Sequence, residues 1–250
     1  GRMRSLNMKI AIFVTEAYYK KKDLYGVSGH VQIPLKAAGL LAASTHSVDL
    51  ITTKPDNAEY LMIDVPDTLN IKTVKHATKE WPQVGVYKIH ALLQFVQLIR
   101  ILKLEKYHII HFFGGPKTCL LASCAKILYS KSKVFYSPIS APADKRFIIA
   151  DNITKRMANK IDLIISTSEF VSRGWGKLVG LNKTNVIKPG ILKQIHCEPN
   201  SGKKDSVLFW RNADHDNGAD IMIQVVKALA PEYREIRFIF AVRPGSQYQE

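Results

Sequence analysis

The chain has 250 residues, 46% of them hydrophobic, which is enough for a large packed core, yet no run approaches the ~18 consecutive apolar residues of a membrane-spanning helix. Its 36 Lys and Arg against 21 Asp and Glu leave a formal charge of +15, a field that favours anionic partners. No basic stretch alternates with aromatics and no helix-turn-helix, RRM or finger pattern accompanies the charge, which argues against nucleic acid; three cysteines without a CxxC argue against a disulfide framework and a zinc site.

Residues 1–7 precede a plausible start at Met8 and are set aside from fold reasoning. A strand at 9–15, a helix at 29–43 and a strand at 47–52 then make a βαβ unit, followed by an edge segment at 61–65. A helix at 87–104, with Phe95, Leu98 and Leu102 on its core side, leads to a strand at 109–112, a helix at 118–129 and a strand at 133–136. A helix near 144–159, a strand at 163–166, a helix at 169–179 and a short strand at 186–188 complete the series. Strands that are apolar throughout, separated by helices, imply a parallel sheet covered on both faces. The expected fold class is therefore α/β, doubly wound and Rossmann-like.

Between 189 and 204 the composition turns to Pro, Gly, Asn, Ser and Lys, as in an exposed connection. A strand at 206–210, a helix at 218–229 and a strand at 236–242 follow. The expected organisation is a first domain over 8–190, a linker over 191–204, and the incomplete beginning of a second Rossmann-like domain over 205–250.

In open parallel sheets, ligands bind beyond the carboxyl ends of the strands, where helix N-termini present free N–H groups to anions. The loop after the first strand contains Lys20, Lys21 and Lys22, then Gly26 and Gly29, glycines that let a backbone approach a diphosphate. The spacing is not GxGxxG, which disfavours a dinucleotide. The three lysines suit either a solvated loop or contact with phosphate or an anionic membrane.

Five segments, in order, resemble the family-4 retaining glycosyltransferases, enzymes built of two facing Rossmann-like domains (the GT-B fold). Gly26-Val27-Ser28-Gly29-His30-Val31 resembles GGxxxHV, with Tyr25 in place of the first glycine. Residues 107–114 resemble the DVVHxHG strand end, with His111 on the first histidine and Phe113 on the second. Ser166-Thr167-Ser168-Glu169 resembles a strand-to-helix junction in which Ser168 caps the helix, and Lys188-Pro189-Gly190 resembles the PNG entry to the linker. Arg211 followed by Asn217-Gly218 resembles the GRxxxxxKG clamp, with Asn217 at the lysine position. The family's active-site histidine falls near Pro138, within Ser137-Pro138-Ile139-Ser140.

The resemblance implies a nucleotide-sugar co-substrate, transfer to a sugar or lipid-linked acceptor with retention, and neither cofactor nor metal. It places Gly26, Arg211 and Asn217 at the donor diphosphate, His111 as the catalytic candidate, and His30, Ser137, Ser140 and Lys20–22 at the cleft or acceptor. With the donor domain incomplete, this chain alone is expected to be inactive. The lack of a membrane-spanning run and of a signal-peptide pattern gives a cytoplasmic protein as the expectation, and the positive charge leaves open a peripheral contact with the inner face of the membrane. Plainer readings stay open: His111 as a satisfied core histidine, and Arg211 as an ion-pair partner of Asp214, Asp216 or Asp220. So do two other functions, a non-catalytic binding module on the same fold and an epimerase of sugar nucleotides.

Overall fold

The computed structural model describes residues 7–15, 17–19, 29–44, 46–54, 60–61, 66–75, 86–142, 151–188, 205–209 and 218–240. The chain divides into two compact units, Gly1–Gly190 and Ile191–Glu250.

The first unit is built on β1 (Lys9–Val14), β3 (Ser47–Lys54), β5 (Asn70–Lys75), β6 (Ile109–Gly114), β7 (Lys133–Pro138), β8 (Leu163–Ser166) and β9 (Thr184–Val186). They form one seven-stranded sheet in the order β5-β3-β1-β6-β7-β8-β9, and every neighbouring pair is parallel. Two short strands, β2 (Tyr18–Tyr19) and β4 (Tyr60–Leu61), pair separately and antiparallel. The helices are α1 (Gly29–Ala42), α2 (Val86–Glu105), α3 (Pro116–Leu128), α4 (Asp151–Ala158) and α5 (Glu169–Val179). From β1 the chain builds outward through β3 to β5, then α2 carries it back to β6 on the other side of β1. The strand order therefore reverses between β1 and β6, which opens a crevice at their carboxyl ends.

Period-two burial explains how the sheet holds helices on both faces. On one face Ile10, Ile12, Val14, Val48 and Leu50 meet Val31, Leu35, Ala38 and Ala42 of α1. On the other, Phe13, Ile51, Ile110, Phe112, Val134, Tyr136 and Ile164 meet α2 through Leu98 and Leu102, and α5 through Val171, Trp175 and Val179. α3 turns small residues to the sheet, Cys119, Ala122 and Ala125, each with no exposed surface. Ser168 caps α5, its side chain accepting the Val171 N–H at 3.3 Å.

The sheet's outer strands are β5 and β9, and the first of them is not the segment at 61–65. Of that segment only Leu61 is described, within β4; residues 62–65 lie outside the described residues. The sequence of β5, Asn-Ile-Lys-Thr-Val-Lys, has only two apolar residues, Ile71 and Val74, which stand three positions apart and pack on opposite faces of the sheet, so it shows neither the apolar run of the inner strands nor a two-residue alternation. A partly buried ion cluster around buried Asp49 holds it in place. Asp49 of β3 accepts hydrogen bonds from Tyr107 Oη and from Asn70 Nδ2 (2.9 Å) and pairs with Lys72 Nζ at 2.8 Å, while Glu105 pairs with Lys72 and Lys9. The hydrogen bond from Lys72, then that from Lys9, lowers the Glu105 carboxyl to about 2. β9 begins two residues earlier than the pattern at 186–188 suggests, because Gly180 at φ 90° and the 3-10 turn Leu181–Lys183 reverse the chain sooner.

The second unit contains β10 (Ser206–Phe209), α6 (Ala219–Leu229) and β11 (Arg237–Phe240). β10 and β11 pair in parallel, with the Phe209 and Phe240 rings 5.6 Å apart, a βαβ arrangement as the periodicity indicates.

Candidate functional site

The sheet's carboxyl edge is organised around the tip of β6. Gly114 there has φ 156°, and an added Cβ would come within 2.3 Å of Thr118 Oγ1, so only glycine fits. The Tyr136 hydroxyl lies 3.0 Å from both the Gly114 and Gly115 carbonyls, and Ile139 N–H donates to the Gly114 carbonyl at 3.2 Å. Tyr136 itself stands edge-on against the Trp175 ring, at 5.3 Å. Trp175 Nε1–H donates to the Ser140 carbonyl at 3.1 Å, which pins the segment leaving β7. On the other side of the switch point, Ala17 N–H donates to Thr52 Oγ1 at 3.2 Å and holds the chain as it leaves β1.

His111 lies within β6, three residues short of its end, on the same face as Ile109 and Phe113. It is therefore not beyond the strand end, but its ring reaches along the sheet to Ser137 of β7, with Nε2 2.9 Å from Oγ. The Phe113 ring lies 4.1 Å away at 33°, and Phe135 meets the imidazole edge-on at 5.9 Å. Burial in this aromatic setting pushes the His111 pKa down to about 3, so the ring is neutral at physiological pH. A neutral imidazole accepts a hydrogen bond at one nitrogen and donates at the other, so it can orient a hydroxyl, Ser137's or a ligand's, but supplies no positive charge.

The unfolded chain binds a proton at His111 near pH 6.5 while the folded one excludes it down to about pH 3. Its contribution is complete above pH 6.5 and is lost as pH falls toward 3, at up to about 1.4 kcal/mol per pH unit. His111→Gln should flatten the fall in stability between pH 6.5 and 5 relative to wild type, read by denaturant titration at each pH. Parallel curves would show that the imidazole is not held neutral by the fold.

Of the other sequence candidates, Ser137 is buried, Ser140 is exposed just past β7, and His30 sits in the first turn of α1, which follows the β1 loop at the same edge. Gly26, Lys20, Lys21, Lys22, Arg211 and Asn217 lie outside the described residues. Sequence reasoning missed Tyr136, Trp175 and Thr52 as supports of this edge. Aromatics in an apolar run and a threonine in a strand read simply as core and give no signal of such a role. Among the described residues, no group of three or more His, Cys, Asp or Glu could hold a metal ion, and no helix is long and apolar enough to cross a membrane. Cys119 and Cys124 are free, and burial pushes the Cys119 thiol up to about 12.

No protein-family profile matches the chain, and no curated protein is significantly similar to it. Solved structures are similar in fold at low identity. HepE from Anabaena, in complex with UDP and glucose, superposes with a TM-score of 0.62 at 14% identity, covering 94% of this chain and 61% of that one. Sucrose-phosphate synthase from Thermosynechococcus elongatus gives 0.60 at 12% identity, covering 95% and 71%. A glycosyltransferase from Rickettsia africae gives 0.58 at 11% identity, covering 94% and 68%. The chain thus spans less than two thirds of the length of HepE. What it shares with all three is the fold: an α/β, doubly wound, Rossmann-like parallel sheet of the GT-B type.

Proposed function

We propose that the chain is part of a glycosyltransferase that moves a sugar from a nucleoside diphosphate to a sugar or lipid-linked acceptor, with retention and without a metal. Residues 8–190 form the acceptor-side domain, 191–204 the linker, and 205–250 the start of the donor-side domain. The observation that carries the reading is the carboxyl edge beside the β1/β6 switch point. There His111, hydrogen-bonded to Ser137 of β7, and the glycine tip of β6 fall on the segment that resembles DVVHxHG, on a fold shared with a protein solved with UDP and glucose. Gly26 and the N-terminus of α1 face the donor diphosphate; Arg211 compensates its growing charge; His111 orients the acceptor hydroxyl, with His30, Ser137 and Ser140 on the cleft's acceptor side.

A second reading, a binding module without catalysis, is favoured by Phe113, whose ring stacks on His111 where the family pattern has a second histidine. Incubating the full-length protein with a panel of nucleotide sugars and candidate acceptors, with NMR of the products, separates the readings. Transfer with the anomeric configuration retained in the presence of chelator is the expected result. Nucleotide-sugar binding without turnover supports the binding module, inversion at a ring carbon of the donor sugar supports an epimerase, and no binding of any nucleoside diphosphate overturns the proposal.

A further inference from the structure

The opposite, amino-terminal edge of the same sheet carries a surface that the proposed reaction does not use. α2 and α3 both end there, and their exits are tied together. Tyr129 Oη donates to the Ile99 carbonyl (2.8 Å), Ser132 Oγ to the Tyr107 carbonyl (2.7 Å) and Lys133 N–H to the His108 carbonyl (2.9 Å). The last turns of these two helices expose Leu104 by 74%, Ile127 by 54% and Leu128 by 56%. Around them stand exposed Lys103, Lys106, Lys131 and Lys160.

The carboxylates described on this edge are already engaged. Asp49 and Glu105 neutralise Lys72 and Lys9, and Asp162 is shared by Lys126 (2.9 Å) and Lys133 (3.7 Å). Among the described residues, Lys103, Lys106, Lys131 and Lys160 enter no ion pair, so the edge keeps an excess of positive charge. Lys106 also adopts φ 48°, a left-handed conformation at the end of α2 that glycine takes more easily. A lysine stands there although glycine would suit the backbone better.

Exposed aliphatic tips set among unpaired lysines match one surface in both respects. An anionic lipid headgroup layer accepts the ammonium groups while the aliphatic side chains enter the acyl boundary beneath it. A nucleic-acid phosphate backbone would use the lysines but gain nothing from Leu104, Ile127 and Leu128. We infer that the amino-terminal edge, at the ends of α2 and α3, is a docking surface for an anionic membrane, bound peripherally through Lys103, Lys106 and Lys131 with Leu104, Ile127 and Leu128 at the interface. The inference stands on this surface alone and does not depend on the proposed reaction.

Co-sedimentation of the 250-residue chain with phosphatidylcholine vesicles, with and without phosphatidylglycerol, at low and high salt, tests it. Binding should require phosphatidylglycerol and weaken with salt. Lys103→Ala with Lys131→Ala should lower partitioning about 25-fold, at about fivefold for each lysine, and Leu104→Ser with Leu128→Ser should weaken it further at high salt. Lys106→Gly should leave the melting temperature unchanged or raised while lowering partitioning about fivefold, which a purely structural lysine would not do. The inference is overturned by absence of binding to phosphatidylglycerol vesicles, or by equal binding of the Lys103/Lys131 variant. It is equally overturned if Lys20→Ala, Lys21→Ala and Lys22→Ala together remove all binding, or if the edge lysines support association with single-stranded RNA and not with vesicles.

Discussion

If the proposed function holds, Arg211→Ala is expected to lower kcat/KM of the full-length protein by about 100-fold or more, with little change in stability. On the proposed function its guanidinium forks onto the donor diphosphate, and the contact strengthens as the glycosidic bond breaks and negative charge grows on the leaving group. Loss of one such transition-state contact typically costs about 3 kcal/mol. Asn217 stands where the family pattern places a lysine, so this chain offers one fewer positive charge there, and Asn217→Lys should preserve or raise donor affinity. Steady-state kinetics of both variants, with calorimetric titration of nucleotide sugars, provide the readout. If Arg211→Ala unfolds the protein while the folded fraction binds donor as before, the arginine serves the acidic residues that follow it, and the clamp assignment fails.

Trp175→Ala should destabilise the first unit by about 3–5 kcal/mol, one of the larger losses available to a single core substitution. Trp175 is among the largest fully buried side chains, and it joins the core to the candidate site at two points: its ring supports Tyr136, and its indole N–H holds the Ser140 carbonyl. The cavity would therefore loosen the tip of β6, because the Tyr136 hydroxyl bridges the Gly114 and Gly115 carbonyls. A fall in melting temperature of roughly 10 °C is expected by calorimetry. Trp175→Phe keeps most of the apolar volume but drops the hydrogen bond, so it should cost about 1–2 kcal/mol and leave the Ser140 carbonyl unpaired. A shift under about 1 kcal/mol for Trp175→Ala would mean that α5 repacks and that Trp175 does not support the edge.

The neutral His111 and the exposed lysines at the ends of α2 and α3 illustrate how differently sequence pattern and structure report on function. As a residue in a strand, His111 was equally compatible with a core role and a cleft role. The structure shows both aspects at once: packing against Phe113 and Phe135, and a hydrogen bond to Ser137. Lys103, Leu104, Ile127 and Leu128 belong to helices whose inner faces carry the core. Nothing in their local pattern indicates that the two helix ends meet at one edge; the pairing of β6 with β7 brings them there.

The sequence by itself determined the doubly wound class, because strands covered on both faces must be apolar throughout, and the segments between them carry helical periodicity. It also determined the order of the segments that resemble a glycosyltransferase, and Ser168 as the cap of α5, since a cap acts only on the turn that follows it. It did not reveal the outer strand β5, whose two apolar residues, Ile71 and Val74, stand three positions apart among polar ones and so give neither an apolar run nor an alternation to read. Only the tertiary structure decided which residues share the candidate site. His111 meets Ser137 across 26 positions, Tyr136 reaches Gly114 across 22, and Trp175 holds Ser140 across 35. Those meetings depend on which strands pair and in what register, quantities set by the packing of the whole sheet and invisible to any local pattern of residues.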